Sequence, residues 1–207
     1  MAFASVGGQR PRWYVADMSL HEPITTPQPA KLSVEDFMTL DRAGAFDGYS
    51  KTELIDGTIY VVNAQFSEHM KAKVRLLRLL ADACDELSTG LEAWSEGSVA
   101  IAPSSMPEPD LFITRETPTT GPVRIETVAL VVEVSDTTLA FDMGAKAALY
   151  ARCGIPEYWI ADLAANRIVR MWTPEGDAYV RRDEWAFGVR VESGTIMGLG
   201  VETAGLI

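Results

Sequence analysis

The stretch VALVVEVSDTT, Val128 to Thr138, places one acid, Glu133, in a run that is otherwise apolar as far as Val134. An ionised carboxylate in a dry strand is costly unless it is paired, protonated or bound to a cation. Glu133 therefore points to solvent, pairs with an arginine such as Arg152, or ends a central strand at the mouth of a cleft. A second acid, Asp110, follows Pro109 at the start of the strand-like LFIT. An antiparallel neighbour would bring it beside the end of the strand that carries Glu133, although Pro-Asp alone reads equally as a turn. Two acids meeting there form a hard-oxygen pocket suited to Mg²⁺ or Mn²⁺. Hydrolysis of a phosphodiester needs such an ion to polarise the phosphoryl group and acidify water, and a further cation to hold the pentavalent charge. Lys146 can supply that cation. Asp142, Lys146 and Tyr150 follow one another every four residues and share a helical face, where a solvated surface lysine is the plain alternative.

These residues need elements to position them. In LSVEDFMTLDRAG, Ser33 and Asp36 have capping-box spacing and Gly44 closes a short helix. Asp56-Gly57 between two β-prone runs predicts a hairpin with a type I′ turn. From Ser67 to Leu87 the apolar positions Val74, Leu77, Leu80, Ala81, Cys84 and Leu87 predict a long amphipathic helix ended by Gly90. Three β-like stretches follow, LEAWSEGSVAIAP, PDLFITR and TVALVVEVS. A second helix is predicted from about Thr138 to Cys153, stopped by Gly154 and Pro156. EYWIADL and RIVRMWT then form a hairpin around Ala164-Ala165-Asn166, and YVRRDEWAFGVRVESGTI reads as further β structure. The fold class is α/β, a mixed sheet with helices on its faces.

A chain of 207 residues, 47% hydrophobic and 23% charged, suits one domain with a proper core. Residues 1–30 mix Gly, Pro, Thr and Gln without periodicity and read as a flexible tail, with Met18 as an alternative start, ahead of a single domain at 31–207. Eighteen basic against 29 acidic side chains give a net charge of -11, so a polyanion would be met only at a local basic face or through bound cations. Cys84 and Cys153 form neither a metal spacing nor a disulfide framework, which suits a reducing cytoplasm. No apolar run approaches the ~18 residues of a membrane span, and the first residues lack a signal-peptide core. The expectation is a soluble cytoplasmic protein.

Glu53 in TELIDGTIY, His69 in SEHM, Pro109-Asp110, LVVEVSDTT, the series Asp142, Lys146, Tyr150, and GIPEYWIAD together resemble the Uma-two-type putative restriction endonuclease family, a branch of the PD-(D/E)XK nuclease superfamily. The match covers about Leu32 to Trp172, and the order and spacing of the motifs make the set specific. The resemblance implies a restriction-endonuclease-like core, with an extra N-terminal hairpin and extra C-terminal strands. It also implies a divalent ion held by Asp110, Glu133 and the backbone carbonyl of Val134. The superfamily pattern has a lysine two residues after the glutamate, where this chain has Ser135; in this branch the helix lysine, matching Lys146, is thought to take its place. Glu53 matches the family's upstream acid, a ligand or water-orienting group, with an exposed hairpin glutamate as the alternative.

His69 is placed to touch a phosphate or the site, or to be a polar residue at a helix end; Asp142 and Tyr150 are assigned beside it to substrate binding. Lys71, Arg75 and Arg78 line one helical face, either as backbone contacts or as a solvated surface. Tyr158 and Trp159 read as core or dimer contacts. The function expected is a Mg²⁺- or Mn²⁺-dependent endonuclease acting on DNA as a homodimer. The alternatives are a catalytically silent binding or assembly module on the same fold, and a hydrolase of another phosphate ester.

Overall fold

A computed structural model describes residues 26–62, 67–101 and 103–206. Most of the expected N-terminal tail, residues 1–25, including Met18, lies outside the described residues. Lys31 onward forms one compact unit.

Helix α1 (Val34–Arg42) starts on the predicted capping box: Ser33 accepts from the Asp36 N–H, and the Asp36 carboxylate accepts from the Ser33 N–H. Strands β1 (Lys51–Ile55) and β2 (Thr58–Val62) form the predicted hairpin. Its turn needs positive φ at both central residues, 47° at Asp56 and 73° at Gly57. A Cβ at Gly57 would also lie 2.8 Å from Lys31 Cβ, so glycine is required there on two counts.

Helix α2 (Ser67–Leu87) has the predicted bounds, and its buried face keeps Leu80 and Cys84 of the predicted stripe, with Leu77 and Leu87 at its margin, but not Val74. Ala72, Leu76, Leu80, Ala83 and Cys84 are buried, whereas Val74, expected in the core, is 46% exposed. The true stripe passes through His69 and Lys73, two polar residues that masked its periodicity. The helix ends at Leu87, where Ser88 adopts positive φ ahead of Gly90.

Strands β3 (Glu92–Ser95), β4 (Val99–Ala100), β5 (Leu111–Thr114), β6 (Val123–Arg124) and β7 (Val128–Ser135) follow. LEAWSEGSVAIAP, expected as one stretch, breaks at Glu96 with φ 56° into β3 and β4. After β7, α3 (Leu139–Phe141), a π-helical turn (Asp142–Lys146) and α4 (Ala147–Arg152) run end to end in place of the uninterrupted α-helix predicted there. Strands β8 (Glu157–Asp162), β9 (Arg167–Glu175), β10 (Ala178–Ala186), β11 (Arg190–Glu192) and β12 (Gly200–Glu202) complete the chain.

Six strands form the central sheet in the order β10-β9-β8-β7-β5-β3. Only β7 and β8 are parallel within it, and the helical segment between them is the crossover that such a pair requires. Every residue of β7 and β8 is buried, because both faces of the sheet are covered. Leu130, Val132, Val134 and Trp159 pack with Leu76 and Leu80 of α2 on one face. Val131, Tyr158 and Ile160 pack with Leu149 and Tyr150 of α4 on the other. By alternation Glu133 shares the Val131 face and points toward the π turn and α4. Tyr158 and Trp159 are core residues, both fully buried. Among the described residues no helix is long and apolar enough to cross a membrane.

Candidate active site

Strands β5 and β7 pair with Leu111 opposite Val132, so the residue before β5, Asp110, falls opposite Glu133. The Asp110 N–H donates to Glu133 Oε2 at 3.3 Å, and the Val134 N–H donates to Asp110 Oδ2 at 2.9 Å. A carboxylate oxygen of an aspartate reaches at most about 4.7 Å from its own backbone nitrogen, so the two carboxylates lie within about 8 Å of each other. In an extended strand a residue's N–H and C=O point to the same side. The Val134 carbonyl is therefore directed to the same gap as its N–H. Both acids are nearly inaccessible, at 4% for Asp110 and 2% for Glu133.

Glu133 is neither solvated nor paired with Arg152, which instead bridges Asp56 and Asp177 at the surface. Its Oε1 accepts from Lys146 Nζ at 2.9 Å and from the Tyr150 hydroxyl at 3.0 Å. Lys146 Nζ also lies 3.0 Å from Glu53 Oε1, and that oxygen accepts from the Glu108 N–H at 2.8 Å. Glu53 is buried, not an exposed hairpin residue. Burial drives Glu133 up to about 8 against the pull of Lys146. Burial opposes the charge on Lys146, but Glu133, Glu53 and Asp142 outweigh it and hold the ammonium firmly protonated. Asp110 sits well below the usual carboxylate range: burial pushes it up, and His69, Lys51 and the Val134 N–H more than offset that.

Asp142 and Lys146 are the two ends of the π turn, and both are buried. The Ala147 N–H reaches back five residues to the Asp142 carbonyl, which also accepts from the Tyr158 hydroxyl at 3.2 Å. Such turns recur at functional sites because they rephase a helix locally. The Asp142 carboxylate accepts from Thr138 Oγ1 at 2.7 Å and, being buried, has a raised pKa. Ser135, at the superfamily's lysine position, is fully buried. Tyr150, assigned from sequence to substrate binding, is also fully buried, with its hydroxyl spent on Glu133; in this geometry it positions the acid.

His69 enters from the first turn of α2, with Nε2 3.3 Å from Asp110 Oδ2 and Nδ1 buried without a hydrogen-bond partner. Lys71, Arg75 and Arg78 are exposed on the other side of that helix.

Two further cations were not foreseen. Lys51 Nζ is 3.4 Å from Asp110 Oδ1, and Lys73 Nζ is 2.6 Å from Glu96 Oε1 and 4.0 Å from Asp110 Oδ1. Burial acts against the charge on Lys51, yet Glu133 and Asp110 raise its pKa. Lys51 stands two residues before Glu53 on one strand and Lys73 four after His69 on one helix, so period-two and period-four spacing carried the signal.

The donor set fits a small hard divalent ion. Of the four oxygens of the two acids, Glu133 Oε2 and Asp110 Oδ1 are the least engaged, with contacts of 3.3 Å to the Asp110 N–H for the first and of 3.4 Å to Lys51 and 4.0 Å to Lys73 for the second, and the Val134 carbonyl points to their gap. Among the described residues no three His, Cys, Asp or Glu side chains converge as a ready metal cluster. Two carboxylates and a backbone carbonyl do not require a third, because Mg²⁺ keeps several of its waters.

The family model described as Uma2, putative restriction endonuclease, matches residues 34–202. Among solved structures, a putative nuclease belonging to DUF820 from Anabaena variabilis ATCC 29413 shares the fold with a TM-score of 0.57. That similarity holds at 11% identity over 81% of this chain and 91% of that one. No curated protein matches the chain. The family match spans Glu53, His69, Asp110, Glu133 and Lys146, and the chain belongs to the Uma2 family of putative restriction endonucleases.

Proposed function

We propose that this protein is a divalent-metal-dependent endonuclease that hydrolyses DNA phosphodiester bonds and acts as a homodimer in the cytoplasm. The support is the convergence of the Asp110 and Glu133 carboxylates in a buried gap, with Lys146 on the far oxygen of Glu133. Mg²⁺ or Mn²⁺ held by Asp110, Glu133 and the Val134 carbonyl would polarise the phosphoryl group and acidify water. In the hydrolysis a water oxygen bonds to phosphorus, one bridging ester oxygen departs, and the proton lost by the water ends on the departing oxygen. Lys146 steadies the attacking water, and Glu53 and Tyr150 fix the Lys146–Glu133 pair from either side. His69 holds Asp110, while Asp142 adds a carboxylate to the field around Lys146. A net charge of -11 makes binding to duplex DNA weak and steeply salt-dependent. A dimer fits the task, since two sites related by a two-fold axis can each cut one strand.

The test is cleavage of supercoiled and single-stranded DNA in Mg²⁺ or Mn²⁺ by the wild type, Glu133→Ala and Lys146→Ala, compared at equal folded fraction. Metal-dependent nicking should fall by at least about 100-fold in both variants. Absence of cleavage with Mn²⁺ still bound through Glu133 would redirect the site to another phosphate ester. Absence of both would make the domain a binding or assembly module.

A further inference from the structure

We infer that the cation that meets the scissile phosphate is Lys51, while Lys146 stays behind the acid pair on the side of the attacking water; this rests on the nuclease reading above. Three lysines surround the acid pair, and their engagements differ. Lys146 is clamped between Glu53 at 3.0 Å and Glu133 at 2.9 Å, lies against the Phe141 ring at 5.9 Å, and has only 4% of its side chain exposed. Reaching a substrate would require it to abandon two buried carboxylates. Lys73 is held by Glu96 at 2.6 Å. Lys51 is held less firmly: among the described residues its ammonium lies nearest Asp110, at 3.4 Å, longer than a good charge-assisted bond, and its side chain is 10% exposed.

Position supports the same division. Lys51 is the first residue of β1 and shares a strand face with Glu53, so the hairpin that seats Glu53 behind Lys146 sets Lys51 on the Asp110 side of the site. A hard cation bound by Asp110 would take over the charge that Lys51 now balances. Lys51 would then be left with an ammonium close to the phosphoryl oxygens, the carboxylates that act on it most strongly, Glu133 and Asp110, being engaged by the ion. A flexible lysine suits this, as a point charge that follows the phosphate while negative charge builds on it.

Three readouts test the assignment. With Mg²⁺ and plasmid DNA, Lys51→Ala should lower kcat by on the order of 100-fold, Lys51→Arg should recover part of the loss, and Mn²⁺ affinity should stay within about threefold of wild type. In Ca²⁺, binding of a short duplex followed by fluorescence anisotropy should weaken and its salt slope should fall by about one phosphate contact. Cleavage by Lys51→Ala within about threefold of wild type would overturn the assignment, as would duplex affinity and salt slope both unchanged. Loss of Mn²⁺ binding in Lys51→Ala would make Lys51 a support for Asp110 and overturn it too. Should the wild type neither cleave nor bind Mn²⁺, the nuclease reading fails, and the duplex measurement, which needs no turnover, still decides whether Lys51 contacts phosphate.

Discussion

Lys146→Met is expected to destabilise the fold by about 3–5 kcal/mol, as judged from urea unfolding at about pH 9, above the raised pKa of Glu133. The side chain removed lies between two carboxylate oxygens, 2.9 Å from Glu133 and 3.0 Å from Glu53. Those oxygens are thus no more than about 6 Å apart, where two like charges at an effective dielectric of 20 repel by about 3 kcal/mol. Water cannot relieve the repulsion, because Glu53 and Glu133 are 1% and 2% exposed. Methionine fills the volume and leaves the charges, so one carboxyl must take up a proton on folding. Adding Glu53→Gln should return roughly half of the loss, the coupling expected of groups that share one counter-ion. A Lys146→Met protein as stable as wild type would show that the lysine does not neutralise the pair.

The second large effect lies outside the site. Glu157→Gln changes one atom in a fully buried side chain and is expected to cost about 2–3 kcal/mol, or a fall of about 5–10 °C in Tm. Glu157 Oε1 accepts from the indole N–H of Trp159 at 2.6 Å and from the Gly194 N–H at 3.0 Å. Its Oε2 accepts from Ser193 Oγ at 2.6 Å, the Thr195 N–H at 2.9 Å and Thr195 Oγ1 at 2.7 Å. Each oxygen therefore faces at least one donor that cannot turn into an acceptor. An amide nitrogen in either place meets an N–H head on. The carboxylate thus ties the start of β8 to the segment between β11 and β12. None of its partners belongs to the Asp110–Glu133 cluster, so nicking per folded molecule should be unchanged. Equal melting temperatures for Glu157→Gln and wild type would remove this anchor from the account.

The sequence carried the acid pair well because the relevant constraints are local. Glu133 stands out in an apolar strand, Asp110 begins the next strand in space, and Asp56-Gly57 fixes the hairpin that delivers Glu53. What it hid were constraints between distant segments. Glu157 was readable as one letter of a motif, but its partners at 193–195 lie 36 to 38 residues away. Lys51 and Lys73 look like surface lysines until β1 and α2 are packed against Asp110. Val74 is apolar yet exposed, since the buried face of α2 runs through His69 and Lys73 and an apolar-only pattern drifts off it. The π turn was also illegible, because spacings of four read as α-helix.

Mn²⁺ binding, followed by the loss of its free electron paramagnetic resonance signal, tests the central claim most directly. Wild-type protein should bind Mn²⁺, Mg²⁺ should compete with it, and both Asp110→Asn and Glu133→Gln should lose at least about tenfold in affinity while remaining folded. Undiminished Mn²⁺ binding in both folded variants, or none in the wild type, would contradict a metal site between these two carboxylates.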